Sequence, residues 1–280
     1  MPIGKALATL LIWGMNISLF AQPNLLPSSS LRVHVFDVGQ GDSILLTSPS
    51  GKHVLVDGGP GLSIAPQLAK ALPFFDRTIA LLIITHPNID HLTAIPDILQ
   101  HYDVRAALLP RTNSYLPLYQ EILGILIQRG IPILYPHPDT DINLGDGVTI
   151  DILWPPESPK NEWSNNLNNT SVVVRAIFGD QSILLTGDIE EKAEMAILAS
   201  GADIHTTILK VAHHGSKTST STGFLLAGSP QAAVISVGRN NMYKHPHPSI
   251  ISRLLHFGIT VTTTAENGTI VEEFYGFTRP

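Results

Sequence analysis

Four apolar segments of this chain each run into a short cluster of histidine, acidic or basic side chains. The stretches read ITHPNIDHL, LLTGDIEEKAEM, LKVAHHGSKTSTS and SVGRNNMYKHPHPSI. Continuous apolar runs of this kind are typical of strands buried on both faces, and loops at the ends of such strands are where a rigid scaffold presents functional groups. The shared placement predicts that the clusters converge on one region of the fold.

The remaining pattern predicts two halves of similar texture, each with paired strands first and strands alternating with helices later. This texture indicates an α/β (α+β) fold in which two mixed β-sheets pack together with helices outside. The main predicted strands are Leu31–Val38, Ser43–Thr47, His53–Val56, Ile79–Thr85, Val148–Trp154, Val172–Phe178, Gln181–Thr186, Ile208–Ala212 and Ala232–Val237. The main predicted helices are Thr93–Gln100, Leu116–Arg129, Glu190–Ser200 and Ser249–Phe257.

The absence of cysteine restricts the chemistry of any metal site. With no thiol among 280 residues, disulfides and thiolate sites are excluded, and a metal must be held by nitrogen and oxygen. The chain has 12 histidines, and their clustering matters more than their number.

The amino-terminal residues have the layout of a secretory signal peptide, with one early lysine and then an uncharged apolar run. We therefore predict a signal peptide over residues 1–22, a Pro/Ser-rich linker over 23–30 and a single domain over 31–280. The predicted location is periplasmic or secreted. An uncleaved membrane anchor is the alternative.

Charge is distributed unevenly along the chain. The net charge is −6, yet Ile204–Ala265 contains no acidic residue and five basic ones. Such asymmetry can create a local positive field that attracts phosphate, or it can be a chance clustering on a solvated face.

The first cluster places His86, Asn88, Asp90 and His91 within six positions. A turn of this composition can bring imidazole and oxygen ligands into one small volume, as divalent metals require. Alternatively, Asp90 only caps the following helix.

The other clusters leave similar choices open. Asp188 is a candidate metal ligand, although with Glu191 it also resembles a capping box. His213 and His214 follow a buried strand, where one can bind metal and the other can act as a proton donor. The basic side chains of the last cluster suit a phosphoryl group, although its prolines can also simply shape a loop. These candidates are Arg239, Asn240, Lys244, His245 and His247.

Together these stretches, with HVFDVGQGDSILL and VLVDGG, resemble the metallo-β-lactamase superfamily, in the branch that contains the C-terminal domain of ComEC-type competence proteins. The resemblance covers about residues 31–274. It implies an αββα sandwich with a dinuclear metal site along one edge, and hydrolysis of a phosphodiester in nucleic acid or a small molecule.

The resemblance also implies a set of roles. The metal ligands would be His86, Asn88, Asp90, His91, Asp188 and His214. Asp57, Asn168 and Ser171 would be structural residues near the site. The candidate catalytic residues are Asp90, His213, Lys244, His245 and His247, and the candidate substrate-binding residues are Arg239, Asn240 and Ser216.

The resemblance implies that His86 helps to hold a first metal, that Asp90, His91 and His214 hold a second, and that Asp188 bridges both. Two positions depart from the family pattern, and both affect the first metal. Asn88 stands where relatives have His or Asp, and Thr93-Ala94 replaces a Gly-Gly pair. We therefore expect two divalent ions, zinc or manganese, with the first weakly held. The favoured function is an exported phosphodiesterase or nuclease. A lactonase or β-lactamase, and a binding module that has lost catalysis, are the alternatives.

Overall fold

The computed structural model describes residues 29–138, 140–156 and 166–276. The predicted signal peptide and residues 23–28 of the predicted linker lie outside the described residues. Among the described helices, none combines the length and apolarity needed to cross a membrane.

The described chain contains short strands and helices throughout. The strands are β1 (Ser30–Val35), β2 (Ile44–Thr47), β3 (His53–Val56), β4 (Thr78–Ile79), β5 (Leu81–Ile83), β6 (Asp103–Val104), β7 (Ala107–Leu108), β8 (Ile133–Leu134), β9 (Ile142–Asn143), β10 (Val148–Trp154), β11 (Val173–Phe178), β12 (Gln181–Leu185), β13 (Ile208–Lys210), β14 (Ala232–Ile235), β15 (Thr260–Thr263) and β16 (Ile270–Tyr275). The helices are α1 (Ile64–Ala71), α2 (Ile89–Leu92), α3 (Ile95–His101), α4 (Pro117–Gln128), α5 (Glu191–Ala199), α6 (Thr222–Gly228), α7 (Pro248–His256) and α8 (Thr264–Asn267).

Two seven-stranded sheets form the centre of the fold. The first has the order β16-β1-β2-β3-β5-β7-β8 and the second has the order β15-β14-β13-β12-β11-β10-β9. Each is antiparallel on one side and parallel on the other: β3, β5, β7 and β8 run parallel in the first sheet, and β12 to β15 run parallel in the second. Both sheets are therefore mixed, as predicted.

The apolar residues divide into three cores that define four layers. One core lies between the sheets and includes Val33 and Ile44 from the first sheet and Ile150 and Ile183 from the second. A second core joins the outer face of the first sheet to α1, α3 and α4, and a third joins the second sheet to α5, α6 and α7. Because both faces of each sheet are covered, the fold is the predicted αββα sandwich.

Two predicted elements differ in the structure, one by division and one by its starting residue. The predicted strand Ile79–Thr85 becomes β4 and β5, since Ile79 pairs with Val104 in a separate two-stranded sheet while β5 pairs in the main one. The predicted helix Thr93–Gln100 begins at Ile95, and Pro96 occupies its first turn, where the missing N–H is tolerated.

The parallel strands deliver the four polar clusters to one edge. β5, β12, β13 and β14 are followed in turn by the clusters that the sequence singles out. Because the carboxyl ends of neighbouring parallel strands lie at the same edge of a sheet, three of the clusters meet there, and the fourth arrives from the facing sheet.

Candidate metal centre

Side chains from both sheets surround the carboxylate of Asp188. Its Oδ2 atom lies 3.4 Å from His91 Nε2, 3.4 Å from His214 Nε2 and 3.9 Å from His86 Nε2. Asp90 completes the group, with its Oδ2 3.4 Å from His214 Nε2. We call these five residues the ligand cluster. Residues separated by more than 120 positions in the sequence thus converge, as the sequence pattern predicts.

Four members of the cluster have the spacing of a metal-binding set. The ligand atoms of Asp90, His91, Asp188 and His214 all lie within 4.8 Å of one another. Bonds of about 2.0–2.2 Å to a tetrahedral ion place neighbouring ligand atoms about 3.3–3.6 Å apart. The three 3.4 Å separations match this spacing, which is too long for good hydrogen bonds.

The histidine atoms that face this space have no hydrogen-bond partner within the described residues. They are Nε2 of His86, His91 and His214. Oδ1 of Asp188 is also buried without a hydrogen-bond partner. Buried polar atoms are normally paired, so a group of unpartnered ones calls for a specific cause. The chemistry of these residues fits a divalent ion, because neutral imidazole and carboxylate are its usual ligands in the absence of thiolates.

Asp57 orients the two histidines of the first sheet. It is fully buried, and its carboxylate accepts hydrogen bonds from His91 Nδ1 at 2.8 Å and from Thr85 Oγ1 at 2.7 Å. Since the Thr85 hydroxyl donates to Asp57, its oxygen accepts from His86 Nδ1 at 3.0 Å. Both imidazoles therefore carry their proton on Nδ1 and present Nε2 to the cluster.

His214 is fixed from the second sheet. Its Nδ1 donates to the carbonyl of Ser236 at 2.9 Å, and the Ser236 hydroxyl donates to the carbonyl of Gly41. Asp42 lies 3.5 Å from the same Nδ1 and forms an ion pair with Lys210, and both members of this pair are buried. The negative charge beside His214 is thus balanced by a lysine from β13.

His213 sits at the border of the cluster. Its Nε2 is 4.0 Å from Asp188 Oδ2 and its Nδ1 is 3.5 Å from Glu190 Oε1. His213 and His214 have φ angles of 50° and 54°, a left-handed backbone conformation that residues other than glycine rarely adopt. Two such residues in succession indicate local strain of about 1–3 kcal/mol each, held by the surrounding fold.

Burial and neighbouring charges shift the pKa values inside the cluster. Burial opposes protonation of His214, but the charges of Asp188 and Asp42 outweigh it and raise its pKa to about 9. For His86, burial and the charge of His91 lower the pKa to about 3. Burial raises the pKa of Asp188, but His214 and His91 hold it well below the usual range. The ionised aspartate and the neutral His86 are in the state that binds metal, whereas a protonated His214 would release its proton when a metal binds.

The alternative roles considered for the two aspartates do not fit the structure. Helix α2 is capped by Asn88, whose Oδ1 accepts the N–H of Ile89 at 3.0 Å, and not by Asp90. Helix α5 has Glu190 at its N-cap position, and the N–H of Glu191 donates to the carbonyl of Thr218. Both aspartates instead turn their carboxylates toward histidines.

Not every predicted ligand joins the cluster. Asn88 is exposed, and its side-chain oxygen is engaged in the helix cap just described. The side of the cluster next to His86 therefore has fewer ligand atoms than the side next to His214. Ser171 and Asn168 instead support the backbone of Asp188: the Ser171 hydroxyl donates to the Asn168 carbonyl and accepts the N–H of Asp188 at 3.1 Å.

Residues 239–247, which we call the basic loop, cover the edge beside His213. The His245 ring lies 5.7 Å from the His213 ring, and burial together with the charges of His213 and His214 lowers its pKa to about 4. Lys244 and Asn240 are exposed. Arg239 is also exposed, and its guanidinium is held on the carbonyl of Ala265.

Two other predicted residues make local hydrogen bonds. His247 caps α7, with Nδ1 accepting the N–H of Ser249 at 3.2 Å. Ser216 is buried, and its hydroxyl lies 3.0 Å from that of Thr218.

Sequence reasoning missed Thr85, Ser236 and the Asp42–Lys210 pair. Lys210 offered a signal, because a lysine inside an apolar strand is seldom buried without a partner. No comparable signal marks Thr85 or Ser236.

A family model, the metallo-β-lactamase superfamily, matches residues 36–239. This chain belongs to that superfamily. The matched region contains the whole ligand cluster, and the fold has the expected architecture. Proteins of this superfamily are generally metal-dependent hydrolases, in agreement with the unpartnered ligand atoms.

Relatives with similar sequences include a ComE operon protein and a recombination protein. ComE operon protein 3 of Bacillus subtilis is 32% identical over 90% of this chain and 34% of its own length. Recombination protein 2 of Haemophilus influenzae is 32% identical over 93% of this chain and 30% of its own length. The chain spans about a third of the length of these relatives.

Solved structures show the same fold at low sequence identity. The metallo-β-lactamase fold protein YhfI from Bacillus subtilis has a TM-score of 0.56 at 11% identity, covering 87% of this chain and all of that one. A diphosphatase from the PhnP family has a TM-score of 0.51 at 14% identity, covering 88% and 99% of the two chains.

Proposed function

We propose that this chain is an exported metal-dependent phosphodiesterase that acts on nucleic acid. The observation that carries the proposal is the juxtaposition of two features: a buried group of unpartnered imidazole and carboxylate atoms, and an exposed basic loop directly beside it. The first is suited to metal, and the second is suited to a phosphate anion.

The ligand cluster would hold the metal, with Asp90, His91, Asp188 and His214 as its complete part and His86 beside Asp188. A bound divalent ion supplies a Lewis acid that offsets phosphoryl charge and makes a water molecule more acidic. The Asp90 side chain is 28% exposed, while the other four are nearly fully buried. Substrate would therefore approach from the Asp90 side.

His213 would act as the proton donor to the leaving group. Its ring is partly exposed and stands between Asp188 and Glu190. A histidine held by a carboxylate can hold a proton on its other nitrogen and release it to a leaving oxygen. Lys244 and Arg239 would bind the substrate phosphates, since this part of the chain carries no acidic residue until Glu266.

Two further observations support the biological setting of the proposal. One of the relatives is named as a recombination protein, which is in keeping with a nucleic-acid substrate. The apolar run near the amino terminus has the layout of an export signal, so we propose a periplasmic or secreted location.

The test is hydrolysis by the purified chain, stripped of metal and then supplied with zinc or manganese. We expect cleavage of bis-p-nitrophenyl phosphate and of single-stranded DNA, no cleavage of nitrocefin, and loss of activity in Asp188→Ala. Hydrolysis of nitrocefin or a lactone without phosphodiester cleavage would assign a different hydrolase activity. Metal binding without turnover of any substrate would leave a binding module.

A further inference from the structure

The tip of the basic loop presents two large apolar side chains to solvent. Met242 is 84% exposed and Tyr243 is 62% exposed. They stand between the exposed cations Arg239 and Lys244. Single exposed apolar side chains need no explanation, but an exposed aromatic flanked by cations at the rim of a candidate active site points to a ligand that has both charge and flat apolar surface.

Aromatic rings connect this tip to the ligand cluster. Tyr243 is stacked with His245, with ring centroids 5.8 Å apart and planes inclined by 26°. The His245 ring is in turn 5.7 Å from that of His213, which reaches to 4.0 Å from Asp188. The tyrosine is thus two rings away from the cluster, and it still exposes most of its own surface.

The loop is held firmly in this position. Asn241 donates to the carbonyls of Gly238 and His245 and accepts the N–H of His245, so that one side chain ties both ends of the tip. The depression beside it has a volume of about 490 Å³ and is lined by Arg239, Lys244 and His245, among others. The lining also contains one acidic residue, Glu266. Its carboxylate accepts a hydrogen bond from the Thr263 hydroxyl at 3.2 Å.

We propose that Tyr243 is a stacking platform for an unpaired nucleobase, and that this platform directs the site toward single-stranded nucleic acid. The cations take the backbone phosphates, while the ring takes the base of a nucleotide next to the reacting phosphate. Every base has a π-face, so the contact is independent of sequence. In a duplex these faces are covered by neighbouring pairs and cannot reach the ring.

This inference rests on the proposed function for one point only, that a phosphate next to the stacked base is hydrolysed. The stacking itself can be tested by binding, without hydrolysis. Binding of a labelled single strand of about ten nucleotides is measured by fluorescence anisotropy in EDTA. We expect Tyr243→Ala to weaken binding about five- to 150-fold, which corresponds to the loss of one stacked base. Tyr243→Phe, which keeps the ring, should bind like the parent chain.

Two controls separate stacking from charge and from general damage. An abasic strand with the same phosphates should bind the parent more weakly and be indifferent to Tyr243→Ala. Tyr275→Ala should leave binding unchanged, because Tyr275 is 53% exposed and pairs with Ser30 at the end of the first sheet remote from the cluster.

The outcomes distinguish this inference from the proposed function. Equal binding of the strand by the parent and Tyr243→Ala, or of normal and abasic strands by the parent, would overturn the platform. The platform would also be overturned if Tyr243→Ala weakened binding to vesicles of anionic phospholipid but not to the strand. Tyr243-dependent binding by a parent chain that fails to hydrolyse bis-p-nitrophenyl phosphate would support the platform and refute the proposed function.

Discussion

The two sides of the ligand cluster differ in the number of metal ligands that they offer. On the side of His214, both sheets contribute, and Asp90, His91, Asp188 and His214 form a set of four. On the side of His86, the structure offers that histidine and a share of Asp188, while Asn88 faces solvent. The side with four ligands is therefore the one whose histidines are held by buried partners from both sheets.

This difference has a direct consequence for metal content. Asp57 supports His91, and the Asp42–Lys210 pair stands behind His214. Four ligand atoms with this support satisfy the usual coordination of zinc. We therefore expect one tightly bound ion on the side of His214 and weak occupancy on the side of His86.

Replacing the residue shared by both sides has the largest expected effect. Asp188→Ala removes the carboxylate around which three histidines are arranged, so we expect metal affinity to fall by more than about 100-fold, beyond the effect of losing an outer partner. Isothermal titration with zinc measures it. Asp180→Ala, an exposed aspartate in the turn before β12, is the matched control. Wild-type affinity in Asp188→Ala would exclude this carboxylate as a ligand.

Next in size is the support behind His214. Lys210→Met leaves the buried Asp42 carboxylate without its counter-charge, and we expect unfolding free energy to drop by about 3–5 kcal/mol. Urea unfolding of the metal-free protein measures the loss. The double variant Asp42→Asn/Lys210→Met should regain much of it, since no charge is then left uncompensated. A single variant as stable as the parent would mean that the pair contributes little to this side.

A smaller effect is expected from the support behind His91. Asp57→Asn keeps the size of the side chain and tolerates the φ of 57° at this position, but it provides one fewer acceptor oxygen for Thr85 and His91. We expect a loss of about ten- to 100-fold in metal affinity with the fold retained. Zinc titration combined with circular dichroism tests this, and unchanged affinity would show that His91 needs no orienting partner.

The smallest effect is expected on the incomplete side, where a ligand can be added. Asn88→His supplies an imidazole next to His86, and we expect a second metal equivalent to bind about tenfold more tightly, at a cost of about 1 kcal/mol from the lost helix cap. Asn88→Asp keeps the cap and adds a carboxylate ligand, so it should also strengthen the second metal, whereas Asn88→Ala loses the cap without adding a ligand and serves as the control. Competitive titration gives the stoichiometry, and a curve identical to that of the parent would place residue 88 outside the site.

Much of the fold and of the ligand cluster is predictable from short-range patterns. Buried strands such as β5 and β14 are continuous apolar runs, and the side chains that follow β12, β13 and β14 meet because these neighbouring parallel strands end together. The predicted αββα sandwich is confirmed for the same reason: apolar alternation in β1 and amphipathic helices such as α7 each specify a covered face.

The rest depends on long-range pairing that no local pattern encodes. Asp42 and Lys210 are 168 positions apart, and their partnership follows only from the packing of one sheet against the other. The direction of Asn88 was not predictable either, because capping a helix and binding a metal both suit an amide at that position. The hydroxyl of Thr85 gains its role solely by lying between Asp57 and His86.

The contact between Gly215 and Pro246 has a consequence for how substrate is accommodated. A β-carbon on Gly215 would lie 2.6 Å from Pro246 Cβ, and the N–H of His247 donates to the Gly215 carbonyl at 2.8 Å. The turn that carries His213 and His214 and the segment that carries the cations are therefore seated directly on each other. The spacing between the cations of the basic loop and the ligand cluster is set when the protein folds, and under the proposed function every substrate would meet the same spacing.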